Sequence, residues 1–175
     1  MKDVIKGLVG WIVSILLIVA VSYLIVTFVG QRTQVSGSSM ETTLSDGDHL
    51  IVDKISYRFR EPQRYEIVVF PYRYEKNTYY IKRIIGLPGE TIQIKDGQIL
   101  IDGETYQENG EFPGIENAGV AETKVALDSG EYFVLGDNRN NSEDSRYADM
   151  GNVKKRNIIG KVWFIASPWS RFGFV

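Results

Sequence analysis

The chain has no cysteine and a single histidine, His49, among its 175 residues. Without cysteine there is no disulfide framework and no thiolate nucleophile. One histidine and no thiolate also exclude a protein zinc site, which needs three or four ligands in one place, so no metal and no cofactor are expected. An excess of charge of one sign is lacking too. The 20 Lys and Arg nearly balance the 22 Asp and Glu, for a formal net charge of −2. Nothing in that balance points to nucleic acid or to strongly acidic ligands. Beyond residue 35 no long amphipathic helix pattern occurs.

What the chain does have is one long apolar run near its start. Residues Gly7 to Gly30 carry no charge apart from the ionisable Tyr23. At about 1.5 Å per residue the run covers roughly 36 Å, enough for a hydrocarbon core of about 30 Å. The run is too long for a cleaved signal peptide, and Thr33-Gln34-Val35 is a poor cleavage site. It also lacks the polar face of a buried core helix. The expected organisation is a short tail over 1–6, a transmembrane helix over 7–30 and a single domain over 31–175. Lys2 and Lys6 precede the span, against Asp3, and Arg32 follows it. The positive-inside rule then favours a cytoplasmic N-terminus and an external domain.

The domain over 31–175 reads as mostly β, with antiparallel strands. Leu50–Val52, Glu66–Phe70, Tyr79–Ile85, Thr91–Lys95, Gln98–Ile101, Tyr132–Leu135 and Ile158–Ala166 are β-branched and aromatic runs between Gly, Pro and Asp. Asp96-Gly97 predicts a type I′ hairpin, which needs positive φ at both central positions. Between Asp96 and Glu131 stand nine acids and one base, Lys124. The stretch over about 103–128 is expected as a small, solvated excursion. From Gly151 onward there are bases but no acids, interleaved with Trp163, Phe164, Trp169, Phe172 and Phe174. That mix suits an anionic lipid surface or an ordinary core strand with surface lysines. A stacking platform for single-stranded nucleic acid is a third reading, disfavoured by the apolar run.

Two short segments carry the chemistry. Ser39 stands in Val35-Ser36-Gly37-Ser38-Ser39-Met40, and Lys82 in Tyr79-Tyr80-Ile81-Lys82-Arg83-Ile84-Ile85-Gly86. A serine hydroxyl needs a base to become a nucleophile. His49 sits at the mouth of a predicted strand, a position that suits a structural role. A lysine serves as base when its amine is neutral. Lowering its pKa by about three units from about 10.4 costs roughly 4 kcal/mol of differential solvation, which apolar burial supplies. In a strand, Tyr80, Lys82 and Ile84 share one face, with apolar neighbours on the other. The same pattern also fits a basic pair, Lys82 and Arg83, at a sheet edge.

A third segment, Gly136 to Arg146, follows a predicted strand and is dense in side-chain donors and acceptors. Such a loop can orient a buried amine. It does not match a calcium loop, because Arg139 occupies a ligand position and Ser142 replaces the sharp-turn glycine.

Together the three segments, with Gly86-Leu87-Pro88-Gly89, resemble bacterial type I signal peptidase, in its short single-span Gram-positive form. The resemblance covers most of the chain, through Ile159-Gly160-Lys161. It implies a β-rich catalytic domain with a small β excursion and a Ser–Lys dyad that removes N-terminal signal peptides. On the matching positions it implies Ser39 as nucleophile and Lys82 as general base. It makes Ser142 a hydroxyl bonded to the lysine amine, and Asp137, Asp144 and Arg146 an ionic network around the dyad. Val35, Met40, Leu44, Leu50 and Ile81 would line the substrate pockets. The implied partners are exported preproteins with small residues before the cut, membrane lipid and the secretion translocon, at the external face of the cell membrane.

Three departures stand out. Thr42 replaces a usual proline, which would have stiffened the turn. Gly37 stands where one branch has a serine that adds a hydroxyl to the oxyanion hole, which leaves the second donor unassigned. Arg64-Tyr65-Glu66 replaces the usual Arg-Gly-Asp. Two alternatives share the fold. A self-cleaving repressor would carry a DNA-binding helix-turn-helix, where this chain has the apolar run instead. A non-catalytic assembly factor, as for pili, would lack the serine or the lysine.

Overall fold

The structure is a computed structural model that describes the backbone of residues 2–28 and 30–175 and the side chains of 7–23 and 32–175. The chain opens with α1, Lys2–Phe28. Every described side chain of α1, from residue 7 to 23, is exposed. Trp11 is 75% exposed and Leu17 64%. Ser14 Oγ donates to the Gly10 carbonyl at 3.0 Å, which satisfies that hydroxyl within the helix. Among the described residues no helix is long and apolar enough to cross a membrane. The span expected over 7–30 runs on into 24–30, whose side chains lie outside the described residues, as do those of Lys2, Asp3 and Lys6.

The rest is β structure. The strands are β1 Gly30–Gln34, β2 His49–Asp53, β3 Ile67–Pro71, β4 Tyr79–Gly86, β5 Thr91–Lys95, β6 Gln98–Ile101, β7 Glu104–Thr105, β8 Val125–Ala126, β9 Glu131–Leu135, β10 Val153–Lys154, β11 Gly160–Ser167 and β12 Gly173–Phe174. The larger sheet runs β1-β2-β11-β3-β4-β9-β10, with β12 also on β11. The smaller runs β7-β6-β5-β8. All pairings are antiparallel. The Asp96-Gly97 turn has φ of 52° and 76°, as its dipeptide predicts. Asp102-Gly103, with φ of 53° and 89°, repeats the device between β6 and β7.

Both faces of the larger sheet are covered. On β3, Ile67 and Val69 pack with Val35, Met40, Leu44, Leu50, Val52, Val162 and Ile165. The alternate residues Val68 and Phe70 pack with Ile84, Tyr132, Val134, Met150 and Val153. Fully burying each such side chain stabilises by roughly 1.5–3 kcal/mol.

Most of the stretch over 103–128 is exposed, and a third cluster anchors it through three buried residues. Ile115, Ala121 and Leu127 are buried against Ile85, Ile92, Ile94, Ile99, Phe133 and Leu135. Scattered apolar residues without periodicity are enough here, because the smaller sheet supplies the surface on which they pack.

Candidate active site

Lys82 lies on β4, with Val68 of β3 opposite it in register. Tyr80 and Ile84 share its face. Val68 and Ile84 are fully buried and Lys82 is 3% exposed. Burial pushes the Lys82 ammonium down to about 8, opposed by the carboxylates of Asp144, Glu143 and Asp137. At pH 7.5 roughly a quarter of such a lysine is neutral, against about a thousandth of an unperturbed one. The Tyr80 ring centroid lies 5.1 Å from Nζ. Tyr80 in turn donates to Glu143 Oε2 at 2.7 Å.

Ser39 sits in the connection from β1 to β2, and its Oγ lies 2.7 Å from Lys82 Nζ. The serine turn is anchored on both sides. Met40 and Leu44 are buried in the core, and Leu44 N–H donates to the Met40 carbonyl at 2.8 Å. Gly37, with φ of +96°, permits the sharp entry. Its N–H donates to Asp46 Oδ1 at 2.8 Å and so is already engaged.

The polar loop 136–146 holds the serine turn directly. Asn138 N–H donates to the Ser39 carbonyl at 3.1 Å. Asn138 Nδ2 donates to the Ser38 carbonyl at 3.1 Å and Asn141 Nδ2 to Ser38 Oγ at 2.9 Å. Ser38 is thus committed elsewhere, and Ser39 is the hydroxyl beside the amine.

Two ion pairs brace this loop. Arg83, next to Lys82, donates to both carboxylate oxygens of Asp137 at 2.8 and 2.7 Å. The same guanidinium reaches the Tyr65 carbonyl at 2.8 Å and Thr43 Oγ1 at 3.3 Å. Arg146 grips Asp144 through Nε at 2.8 Å and Nη2 at 2.9 Å. Asp144 Oδ2 also accepts from Gly136 N–H at 3.0 Å. Both members of the second pair are buried, so each charge depends on the other.

The excursion docks on this loop. Arg139, 1% exposed, forms a bidentate pair with Glu108, and its guanidinium lies 4.3 Å from the Phe112 ring centroid. Asn140 Nδ2 donates to the Gly114 carbonyl and Arg146 Nη1 to the Asn117 carbonyl. Tyr65, where the resemblance leads one to expect glycine, has φ of +73°. Its hydroxyl accepts from Asn109 N–H and its ring lies 6.0 Å from that of Tyr106.

Beside the pair opens a cleft of about 190 Å³, lined by Thr33, Gln34, Val35, Ser36, Ser39, Met40, Tyr79, Tyr80, Ile81, Lys82 and Glu143. Of the residues expected to line substrate pockets, Val35, Met40 and Ile81 border this cleft. Leu44 and Leu50 are not on the cleft. Each is completely buried, because strand alternation and the serine turn aim them into the core. His49 is exposed at the start of β2 and is not among the lining residues. Ser142 Oγ is buried but has no hydrogen-bond partner among the described residues, so the bond to the lysine amine is not made. Its place is set instead by close packing against Gly136.

Sequence reasoning missed the residues that join segments: Arg83, Asn138, Arg139 and Glu108. The asparagines of the polar loop were the visible signal. Nothing local marks Glu108 among its acidic neighbours.

The sequence profile of the family described as "Signal peptidase, peptidase S26" matches residues 8–169. A signal peptidase I of Leptolyngbya laminosa is 43% identical over 155 residues, covering 84% of this chain and 73% of that protein. One of Bacillus licheniformis is 36% identical over 172 residues, covering 94% and 91%. A crystal structure of a signal peptidase I from Enterococcus faecalis overlaps with a TM-score of 0.45 at 32% identity, covering 58% of this chain and 97% of that one.

Proposed function

The chain belongs to peptidase S26, the signal peptidase family, and is a signal-peptide-cleaving peptidase; on that premise we propose that it is a membrane-tethered endopeptidase in which Ser39 is the nucleophile and Lys82 the general base. The observation that carries the reading is the 2.7 Å approach of Lys82 Nζ to Ser39 Oγ. The burial of Lys82, at 3% exposure, supports it further.

The steps follow from the geometry. Neutral Nζ accepts the Ser39 hydroxyl proton as Oγ attacks the scissile carbonyl. The Ser39 N–H donates to no other group among the described residues and so is available to the oxyanion. The Lys82 ammonium then returns its proton to the departing amine, which leaves an ester on Ser39. Neutral again, Nζ takes a proton from water, the hydroxide attacks the ester, and the peptide acid departs as Ser39 regains its proton.

The substrate adds as a strand. β9 pairs with β4 only from Arg83 onward, so the Tyr79–Lys82 stretch presents an open edge. Thr33 to Ser36 form the facing wall of the cleft. An extended peptide between them gains main-chain bonds, and the small space beside Val35, Met40 and Ile81 admits small side chains at the first and third positions before the cut.

The uncharged run from Gly7 to Gly30 and the uncovered apolar side chains of α1 support a membrane span. Lys2 and Lys6 favour a cytoplasmic N-terminus and a catalytic domain outside, facing exported preproteins. A non-catalytic assembly role is not favoured, since serine and lysine are both present and in contact.

The test is cleavage of a synthetic preprotein peptide, with alanine at the first and third positions before the bond, by detergent-solubilised full chain. Ser39→Ala and Lys82→Ala should each lower kcat by at least about 10³-fold. Comparable turnover by either variant would falsify the dyad.

A further inference from the structure

We propose that Arg171 is a positioning residue for Ser39, acting through the turn that runs from Thr43 to Asp48. The proposal rests on the endopeptidase reading above. Arg171 stands just beyond the family match, which ends at residue 169. Its Nη2 donates to the Thr43 carbonyl at 2.7 Å, across 128 positions of sequence. Its Nε lies 3.1 Å from Asp48 Oδ2, an ion pair without hydrogen-bond alignment.

Both contacts follow Ser39 in the serine loop, at the two ends of the turn from Thr43 to Asp48. Thr43 follows Ser39 by one turn, and its side chain is reached from the other direction by Arg83 Nη2 at 3.3 Å. Asp48 controls the incoming limb. Its carbonyl accepts from Val35 N–H at 2.9 Å, and its carboxylate accepts from Ser45 N–H at 2.9 Å. Val35 lines the cleft. One guanidinium therefore fastens the turn after the nucleophile at both ends and, through Asp48, reaches a cleft wall.

Arginine is the residue that can do this. Through Nη2 it donates a hydrogen bond to a carbonyl while its charge pairs with a carboxylate, whereas an ammonium is a point charge. Asp48 is 1% exposed, so its charge needs that partner. The neighbouring side chains do not explain why Arg171 turns inward. Trp169 and Phe172 stack at 5.0 Å and are 85% and 50% exposed. The turn is held to the domain by β12 on β11 and by Phe172 against Phe164 at 4.7 Å, and the contact with the serine loop is what Arg171 adds.

The test compares wild type, Arg171→Met, Arg171→Lys and the double variant Asp48→Asn/Arg171→Met, all as full chain in detergent, on the peptide above. Arg171→Met should lose about tenfold to a hundredfold in kcat, the range a small misplacement of a nucleophile produces. KM should stay within about twofold, and the acid limb of the pH profile should not move. Tyr80, Asp137, Glu143 and Asp144, the groups that surround Lys82, are untouched. The double variant leaves no unpaired carboxylate. It should regain Tm without regaining kcat, and Arg171→Lys should likewise recover Tm more than kcat. A purely structural role predicts the reverse, with kcat returning alongside Tm. The proposal is overturned if kcat of Arg171→Met stays within about twofold of wild type, or that of the double variant if the single one does not fold. A wild type that leaves the peptide intact removes the endopeptidase reading and this proposal with it. Wild-type cleavage matched by all three variants removes only this one.

Discussion

A β-carbon at Gly136 would stand 2.5 Å from the carbonyl oxygen of Ser39. The polar loop and the serine turn thus meet backbone to backbone, closer than any side chain allows. Ser142 Oγ would be 2.1 Å from the same β-carbon. The Ser142 hydroxyl can rotate away, but its Cβ, also at 2.5 Å, cannot, nor can the Ser39 carbonyl, which Asn138 N–H holds at 3.1 Å. Gly136→Ala should therefore displace Ser39 and lower kcat by about a hundredfold. Turnover alongside circular dichroism checks this. An alanine variant with wild-type turnover would mean that the contact yields freely.

The pH profile of kcat/KM should report the Lys82 amine, which burial lowers to about 8. Below that value activity should fall about tenfold per pH unit, as the neutral base becomes scarce. The same shift fixes a stability trend. A folded-state value below the unfolded one makes the native state gain stability as pH rises from about 8 towards the ordinary lysine value of 10.5. Below about 8 the penalty is fully present, on the order of 3 kcal/mol. Lys82→Met should remove it, abolishing cleavage while raising Tm at pH 7. Chemical denaturation at pH 7 and 10 measures both signs. An unchanged or lowered stability at pH 7 would contradict the buried charge.

Asp144→Asn should destabilise the fold by about 3–5 kcal/mol, the cost of leaving a buried partner charge unpaired. Arg146 is 3% exposed and Asp144 fully buried, so water cannot replace the lost charge. Urea midpoints give the magnitude. Replacing both, as in Asp144→Leu/Arg146→Met, should cost less than the single change. Equal or greater loss in the double variant would show that the pair contributes more than charge balance.

Glu108→Ala should strand the Arg139 guanidinium and loosen the excursion from the catalytic loop. Faster amide exchange over residues 136–146 and a lower kcat are expected, with Glu111→Ala as the exposed control. Exchange unchanged from wild type would mean that backbone bonds alone fasten the excursion.

Much of this was visible before any coordinates. Every strand expected from β-branched runs is present, because their side chains fit covered pleated surfaces. The alternation around Lys82 fits a covered strand and a basic sheet edge alike, and only the packing shows that Lys82 is buried. The strand β1, Gly30–Gln34, escaped because its polar residues carry no apolar alternation, as suits an edge. Leu44 and Leu50 were misplaced because an apolar residue beside a site reads alike whether it is wall or floor. Ser142 shows the limit of position: its hydroxyl is near the loop's glycine, yet its bond depends on a rotamer. Contacts such as Arg139 with Glu108 depend on how separate segments meet, which no local pattern encodes.

The order of strands has a last consequence. Ser39 follows β1, Lys82 belongs to β4, and the sheet joins their two arms only through β11, Gly160–Ser167, which lies between β2 and β3. A nascent chain that has not yet released those residues from the ribosome holds the serine and the lysine on separate hairpins. Within the sheet, bringing the serine arm beside the lysine arm therefore requires β11, the last strand but one in the chain.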